Sequence, residues 1–366
     1  MSGGDLHPDL HPDLRPDLTR DLTRDLNFDL RHHGDLEVRE PGLLDLAVNV
    51  RGARPPDWLR CVLADSLERL GSYPDPRAAT EAVARRHGRA PDEVLLTAGG
   101  AEAFVLLARA LSPENAVCVH PSFTEPEAAL VAAGHQVRRA VLAPPYDVLE
   151  VPQEADLVVV GNPTNPTGVV HDAAPLCRDG RVTVVDEAFA DAVAGDAAAG
   201  EPHSLADRSD LPGLVVVRSL TKTWALAGLR VGYLLGPADL VARLRAAQPL
   251  WAVSTPALAA VEACLTDRAL TEARLAAEAT AVEREWLAAH LLGLGVEVSP
   301  GSQAPFLLCR VPGHPGLRER LRAMGIAVRR GDTFPGLTAE HWRTAVRDRA
   351  SSERLVAAVW ALLAAF

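Results

Sequence analysis

Between residues 94 and 235 the chain repeats one pattern: a short, mostly apolar run, a turn, then a longer amphipathic stretch. The runs fall at 94–97, 116–120, 136–141, 157–161, 182–186, 214–219 and 231–235. Most lack the polar alternation of a strand with one wet face, so both of their faces are expected to be covered. The stretches predicted helical, notably 101–111, 125–133 and 171–178, supply crossovers of the kind that parallel pairing requires. Little freedom remains. The pattern predicts an α/β sheet of seven strands, largely parallel, with helices on both sides. Ligands of such sheets bind outside the carboxyl ends of the strands, so chemistry is sought in the residues just after each run.

The flanks read differently. Asp-Leu recurs every four residues from Asp5-Leu6 to Asp29-Leu30, and Pro8, Pro12 and Pro16 break any helix of that period. Residues 1–30 are read as a low-complexity, disordered tail with a short helical stretch at 19–29. Globular sequence starts near Gly42, with helices at 57–70 and 78–87 that end at Gly71 and Gly88. After Pro237 an Ala-, Glu-, Arg- and Leu-rich region predicts a long helix over 255–292. Short strands at 296–298, 306–310 and 327–329 follow, then a final helix over 352–365. This part is a smaller α+β lobe tied to the main one by the long helix.

Hydrophobic residues make up 48% of the chain, enough for a sizeable core, and the net charge of −11 argues against nucleic acid and anionic membranes as partners. No apolar run is long enough to span a bilayer, and the acidic, polar N-terminus is unlike a secretory signal. Five scattered cysteines without a C-x-x-C pair suit a reducing cytoplasm. No metal-binding spacing, nucleotide P-loop or G-x-G-x-x-G turn is present.

Lys222 is the one lysine among 37 basic residues, the rest being arginine. Both types carry the same charge, but only the amine sheds its proton near neutrality and attacks a carbonyl. The functional reading is a Schiff-base lysine holding a carbonyl cofactor; the plain alternative is a leftover surface lysine. The neighbourhood favours the first. A lysine-bound pyridoxal ring needs a carboxylate to keep its nitrogen protonated, and Asp186 ends the run Val182-Thr183-Val184-Val185 at the ligand edge. Asn162-Pro163-Thr164-Asn165-Pro166-Thr167-Gly168 forms a rigid turn that leaves the Asn165 amide free for a phenolic oxygen. Thr97-Ala98-Gly99-Gly100-Ala101-Glu102 is a strand–glycine–helix junction suited to a phosphate. The Ser219 and Thr221 hydroxyls and Arg230 complete that cup.

Taken in order, Tyr73-Pro74-Asp75, Gly99-Gly100-Ala101-Glu102, Asn165-Pro166-Thr167-Gly168, Asp186-Glu187-Ala188-Phe189 and Ser219-x-x-Lys222-x7-Arg230 resemble the fold-type I pyridoxal-phosphate enzymes of aminotransferase class I/II. The likeness extends over about residues 42–366 and is strongest to the branch of histidinol-phosphate aminotransferase and the threonine-phosphate decarboxylase of cobalamin biosynthesis. It implies an aspartate-aminotransferase-like fold. Residues 31–70 would join the small domain, 71–250 form the large cofactor-binding domain, and 251–366 form the connecting helix and small domain. It also implies pyridoxal 5'-phosphate as cofactor, and a homodimer in which Tyr73 reaches the neighbouring subunit's cofactor. Cofactor contacts would come from Gly100, Ala101, Glu102, Asn165, Asp186, Ser219, Thr221, Lys222 and Arg230. Asn49, Arg343 and Arg330 would meet the substrate, with Arg343 and the Arg329-Arg330 pair supplying more guanidinium than one carboxylate needs.

Two positions depart from that pattern. Pro126 stands where the family commonly stacks an aromatic ring, and Phe189 where many members carry a tyrosine. Transamination and decarboxylation differ in which bond to Cα stands perpendicular to the cofactor ring, an angle no single sequence fixes. The leading reading is an aminotransferase acting on a small amine or amino acid with a second anion, a phosphate monoester. A threonine-phosphate-decarboxylase-like enzyme is the alternative, and a catalytically silent cofactor-binding homologue the third.

Overall fold

A computed structural model describes residues 29–195 and 201–364. Nearly all of the Asp-Leu repeat, with its expected helical stretch, lies outside the described residues. The described chain begins with β1 (Leu44–Leu46), α1 (Asp57–Ser66) and α2 (Arg77–His87). Gly88 ends α2 at φ 61, where a residue without Cβ is favoured.

The repeating region then gives β2 (Val94–Thr97), α3 (Gly100–Ala110), β3 (Ala116–His120), α4 (Glu125–Ala132), β4 (Val137–Val141), β5 (Leu157–Gly161), β6 (Val182–Asp186), β7 (Leu214–Ser219) and β8 (Gly232–Leu235). They form one seven-stranded sheet in the order β2-β8-β7-β6-β5-β3-β4. β8 runs antiparallel to both of its neighbours, and the other pairs are parallel. Alternate residues feed opposite faces. Val117, Val158, Val185 and Val216 pack in one core cluster; Cys118, Val159, Val184 and Val217 pack in the other. Two covered faces are why these runs are so continuously apolar.

Beyond the sheet come α5 (Ala238–Ala247), α6 (Thr255–Cys264), α7 (Asp267–Gly293), β9 (Glu297–Val298), β10 (Phe306–Arg310), α8 (Leu317–Ala323), β11 (Ile326–Arg330), β12 (His341–Ala345) and α9 (Arg349–Leu363). The second sheet runs β1-β11-β12-β10-β9, so the first strand among the described residues pairs, in parallel, with one nearly three hundred residues later. Leu46, Leu287, Val328, Trp342 and Leu355 share its core.

The structure revises several expectations. The 171–178 helix is only a 3-10 turn at Ala174–Leu176, because the Leu176 carbonyl accepts from the Arg181 and Thr183 side chains instead of continuing a helix. The single helix over 255–292 is two, since Thr266 caps the second by accepting from the Ala269 N–H at 3.4 Å. Leu59 of α1 and Leu258 of α6 lie in the core of the large sheet, so a boundary at residue 250 cuts through that core; sequence periodicity marks an apolar stripe but not the sheet it meets. β12 was hidden by its polar sequence, His341-Trp342-Arg343-Thr344-Ala345. Order also begins before Gly42: Gly34–Val38 form a 3-10 turn whose buried Glu37 pairs with Arg318 at 2.8 Å. Among the described residues no helix is long and apolar enough to cross a membrane, and no acidic, His or Cys group fits a metal.

Candidate active site

The carboxyl edge of the large sheet gathers the loops after β2, β5, β6 and β7. At one end β2 stops at Thr97 and α3 starts at Gly100 with no side chain capping it. Its first N–H groups therefore remain for a ligand, and the helix end favours an anion. Gly99 has φ 82, and a Cβ there would lie 2.9 Å from Arg230 Nη2, so the glycine lets that guanidinium rest against the helix start. Arg230 is itself left-handed, φ 57, a strain of about 1–3 kcal/mol of the kind that collects at functional sites. The Ser219 Oγ accepts from the Thr221 N–H at 3.2 Å at the end of β7. Glu102 has a different task from the one expected. Its carboxylate accepts from the Ala98 N–H (2.5 Å) and Gln248 Nε2 (3.3 Å), which fastens the turn, and an anion would be repelled by it.

Asp186 ends β6 opposite Gly161, with Oδ1 accepting from the Ala188 N–H at 3.1 Å. Loss of solvent pushes its carboxyl up to about 6, against that bond and the charge of Lys222. Burial, then the charge of Arg343, pushes the Lys222 ammonium down to about 8; Asp186 opposes this and Arg230 adds to it. At neutral pH roughly a tenth of such amines are free bases, a state closed to arginine. The Lys222 Nζ lies 5.8 Å from the ring centre of Phe189, which packs edge-on against Phe306 at 5.1 Å. Phe189 is thus an apolar wall, not a donor. Pro126 is buried in the first turn of α4, and Phe123 packs toward the large core beside the His33 ring.

The opposite wall comes from the small sheet. Arg343 of β12 is buried; its Nη1 donates to Asn165 Oδ1 at 2.7 Å and its Nη2 to the Ala47 carbonyl. The Arg343 Nε and both amide atoms of Asn49 are buried without a protein partner. An unmet buried polar group costs about 1–3 kcal/mol, so these atoms mark where a polar ligand fits. Asn49 and Lys222 share a cavity of about 40 Å³ with Asp191, Thr223 and Arg347.

The register corrects one expectation here. Arg329 lies opposite Arg343, and Arg330 opposite Trp342. Cross-strand partners share a face, so Arg329 stands beside Arg343 while Arg330 turns away and pairs with Asp332 at 2.6 and 2.7 Å. Burial, then the charges of Arg329 and Arg347, lowers the Arg343 pKa well below the usual guanidinium range. A buried cluster of like charges is suited to an anion. Tyr73 is 76% exposed and stacks on Trp251 at 4.2 Å, next to the exposed Leu250.

Sequence reasoning missed a second charged group, beside Asp186 and Ser219 in the chain. Arg218 of β7 pairs with Glu187 at 3.2 Å and Glu201 at 2.6 Å. Burial pushes Glu187 up to about 7; at Glu201 burial works the same way, but the Arg218 charge and bond overcome it and hold that carboxyl down to about 2. The adjacency of Glu187 to Asp186, and of Arg218 to Ser219, was the available signal, but only strand pairing brings the two together.

Known proteins resemble this chain over most of its length. A family model, aminotransferase class I and II, matches residues 42–359. A histidinol-phosphate aminotransferase of Mycobacterium tuberculosis is 52% identical over 325 residues, 87% of each chain. A threonine-phosphate decarboxylase of Salmonella typhimurium is 32% identical over 345 residues, 88% of this chain and 92% of its own. The fold is that of the aspartate aminotransferase of Thermus thermophilus solved with maleate, at TM-score 0.76 and 23% identity over 88% of this chain and 92% of that one. The chain is an enzyme of the class I and II aminotransferase family.

Proposed function

We propose that the enzyme is a pyridoxal-phosphate-dependent aminotransferase whose amino donor is a small amine bearing a phosphate monoester. One observation carries the donor class: Arg329 and Arg343 stand side by side, buried, on the face of the small sheet where Arg343 meets Asn165. Glu37 lies 3.9 Å from Arg329 and offsets part of this charge; what remains suits a dianionic phosphate, or two anions. The name of the 52%-identical relative, histidinol-phosphate aminotransferase, points the same way.

The residues present fit the cofactor. The uncapped N–H groups of Gly100 and Ala101, the Ser219 and Thr221 hydroxyls and Arg230 would hold its phosphate, Asp186 its ring nitrogen and Asn165 its phenolic oxygen. Bound there, pyridoxal phosphate supplies an electron-withdrawing ring conjugated to the donor's amine. The Lys222 amine would be the general base that takes a proton from the donor's Cα and holds it for the later return. Asp186 would keep a proton at the ring nitrogen. Arg343 and Arg329 orient the donor by its anions, and Asn49 supplies amide hydrogen bonds beside them. Tyr73 is assigned to the cofactor phosphate of a second copy, in a homodimer that would cover the exposed Tyr73, Leu250 and Trp251. The free cysteines Cys61, Cys118, Cys177, Cys264 and Cys309 accord with a cytoplasmic enzyme.

The test is to offer the purified, cofactor-loaded protein histidinol phosphate and threonine phosphate, each assayed for amine transfer to an oxo acid and for carbon dioxide release. A charge-assisted bond to a buried group is worth roughly 1.5–3 kcal/mol. Amine transfer from histidinol phosphate should therefore exceed that from alanine or aspartate by at least about tenfold in kcat/KM. Carbon dioxide release from threonine phosphate as the faster reaction would replace this reading with a decarboxylase. A yellow protein inert to every donor would mean a silent homologue.

A further inference from the structure

A second cavity, of about 220 Å³, opens on the face of the large sheet that α6 and α7 cover. Its inner end is charged. Arg218 and Glu201 line it there, beside Tyr233, whose hydroxyl bonds His87 Nε2 at 2.9 Å. These charges answer one another: Arg218 pairs with Glu187 and Glu201, and Arg86 lies 3.5 Å from Glu201. Asp191 is different. It lines both this cavity and the smaller one that holds Lys222, and its Oδ1 is buried with no hydrogen-bond partner among the described residues. Burial pushes its carboxyl up to about 6, with the charge of Arg218 opposing, so most copies are ionised at neutral pH. The middle of the cavity is apolar, walled by Leu220, Trp224, Cys264, Leu265 and Leu270. At its mouth stand Arg86 and Arg274, the latter bonded to Glu278 at 2.5 Å in a partly exposed pair along α7.

We propose that this cavity is a second binding site, separate from the donor's, for a primary ammonium on a short apolar body. The ammonium sits against Asp191 and the body against Trp224 and Leu270. The site does not depend on the donor proposed above. An ionised carboxylate shut away from water with an open oxygen is costly until a donor reaches it. Arg218 is not free to be that donor, because two glutamates already engage it. An anionic ligand would meet Asp191 and Glu201 and be repelled. Water alone would satisfy the oxygen but gain little from the apolar walls, and an apolar body that displaces such water gains affinity. A few convergent polar groups in a largely apolar hollow are the usual make-up of a small-molecule site. The same ammonium is carried by simple amines and by free amino acids. The carboxylate of an amino acid would turn toward Arg86 and Arg274, whose partly exposed pairs are readily exchanged.

The experiment is a calorimetric titration of the full chain, loaded with cofactor and reduced with borohydride so that no amine reacts at the cofactor. The probes are isobutylamine, L-valine and isovalerate: one branched body with an ammonium, with both charges, and with a carboxylate alone. Isobutylamine should bind one molecule per chain at millimolar affinity or better, and isovalerate at least about tenfold more weakly. L-valine binding as tightly as isobutylamine or tighter assigns the site to amino acids; weaker binding assigns it to simple amines, and both keep the ammonium site. Asp191→Asn, which preserves shape, and Leu270→Trp, which fills the apolar middle, should each weaken isobutylamine at least about tenfold. Arg343→Leu, at the donor site, should change it by less than about twofold. Three results would overturn the site: no saturable heat up to tens of millimolar, isovalerate as tight as isobutylamine, or binding unmoved by Asp191→Asn and Leu270→Trp but lost in Arg343→Leu. The titration reads no turnover, so a failed donor assay leaves the site standing.

Discussion

On the lysine side of the cleft, Asp186 and Lys222 stand at or just beyond the ends of adjacent parallel strands, with Asp186 opposite Val217 in register. On the arginine side, Arg343 reaches Ala47 and Asn165 across 296 and 178 residues, and Arg329 reaches His32 across 297. The first wall is made of short apolar runs, each delivering one residue to a common edge. The second is made of contacts that exist only once both ends of the chain have come together. Their electrostatics differ too. An amine and a carboxylate of opposite charge temper each other beside Phe189, whereas the arginine wall gathers like charges that an incoming anion relieves. Chemistry common to a family and selectivity particular to a member can thus change separately.

The largest expected effect tests the lysine wall. Lys222→Arg keeps the charge and removes the titratable amine; single-turnover rates should fall by about 10²–10⁴, the usual share of a general base, with little change in melting temperature. Near-normal turnover would end the assignment. Arg218→Met tests the scaffold behind that wall. It strands Glu187 in the interior and leaves Glu201 only Arg86, at 3.5 Å, and denaturant midpoints should report a loss of about 3–5 kcal/mol. In the wild type the Glu201 carboxyl is depressed, so the stability it contributes is present above ordinary carboxylate pKa values and is lost as pH falls toward about 2.

The next effect sharpens the contrast between the walls. Arg329→Leu should reduce kcat/KM for a phosphorylated donor by roughly 1.5–3 kcal/mol, about 10- to 150-fold, while cofactor affinity stays near normal. Arg330→Leu, which removes only a partly exposed pair with Asp332, should alter stability and activity by no more than about 0.5 kcal/mol. Equal losses from the two variants would mean that strand register does not decide the donor site. The smallest effect is one of pH. In cofactor-free protein the rate of pyridoxal phosphate capture should rise about fivefold from pH 7 to 8 and then level off, because the free-base fraction of Lys222 grows until its pKa near 8 is passed. A flat profile over that interval would place the amine's pKa elsewhere.

What the sequence determined by itself was local. Continuous apolar runs specified the strands of the large sheet, and with them the edge at which Asp186 and the Ser219–Lys222 turn emerge. Gly99 and Gly88 were legible because a missing Cβ has consequences within a few residues. Lys222 was legible because its chemistry is unavailable to arginine. Tertiary structure alone decided the rest. Two adjacent arginines on β11 are equivalent to any reading of composition, and only pairing with β12 turns Arg329 inward and Arg330 out. The pairing of His33 with Glu125, the burial of Glu37 against Arg318, and the meeting of Glu187, Glu201 and Arg218 carry no local signature either. Hydrophobic periodicity and turn chemistry act over a handful of residues, whereas these contacts close loops of up to nearly three hundred and form only after the sheets have already set where each side chain can reach.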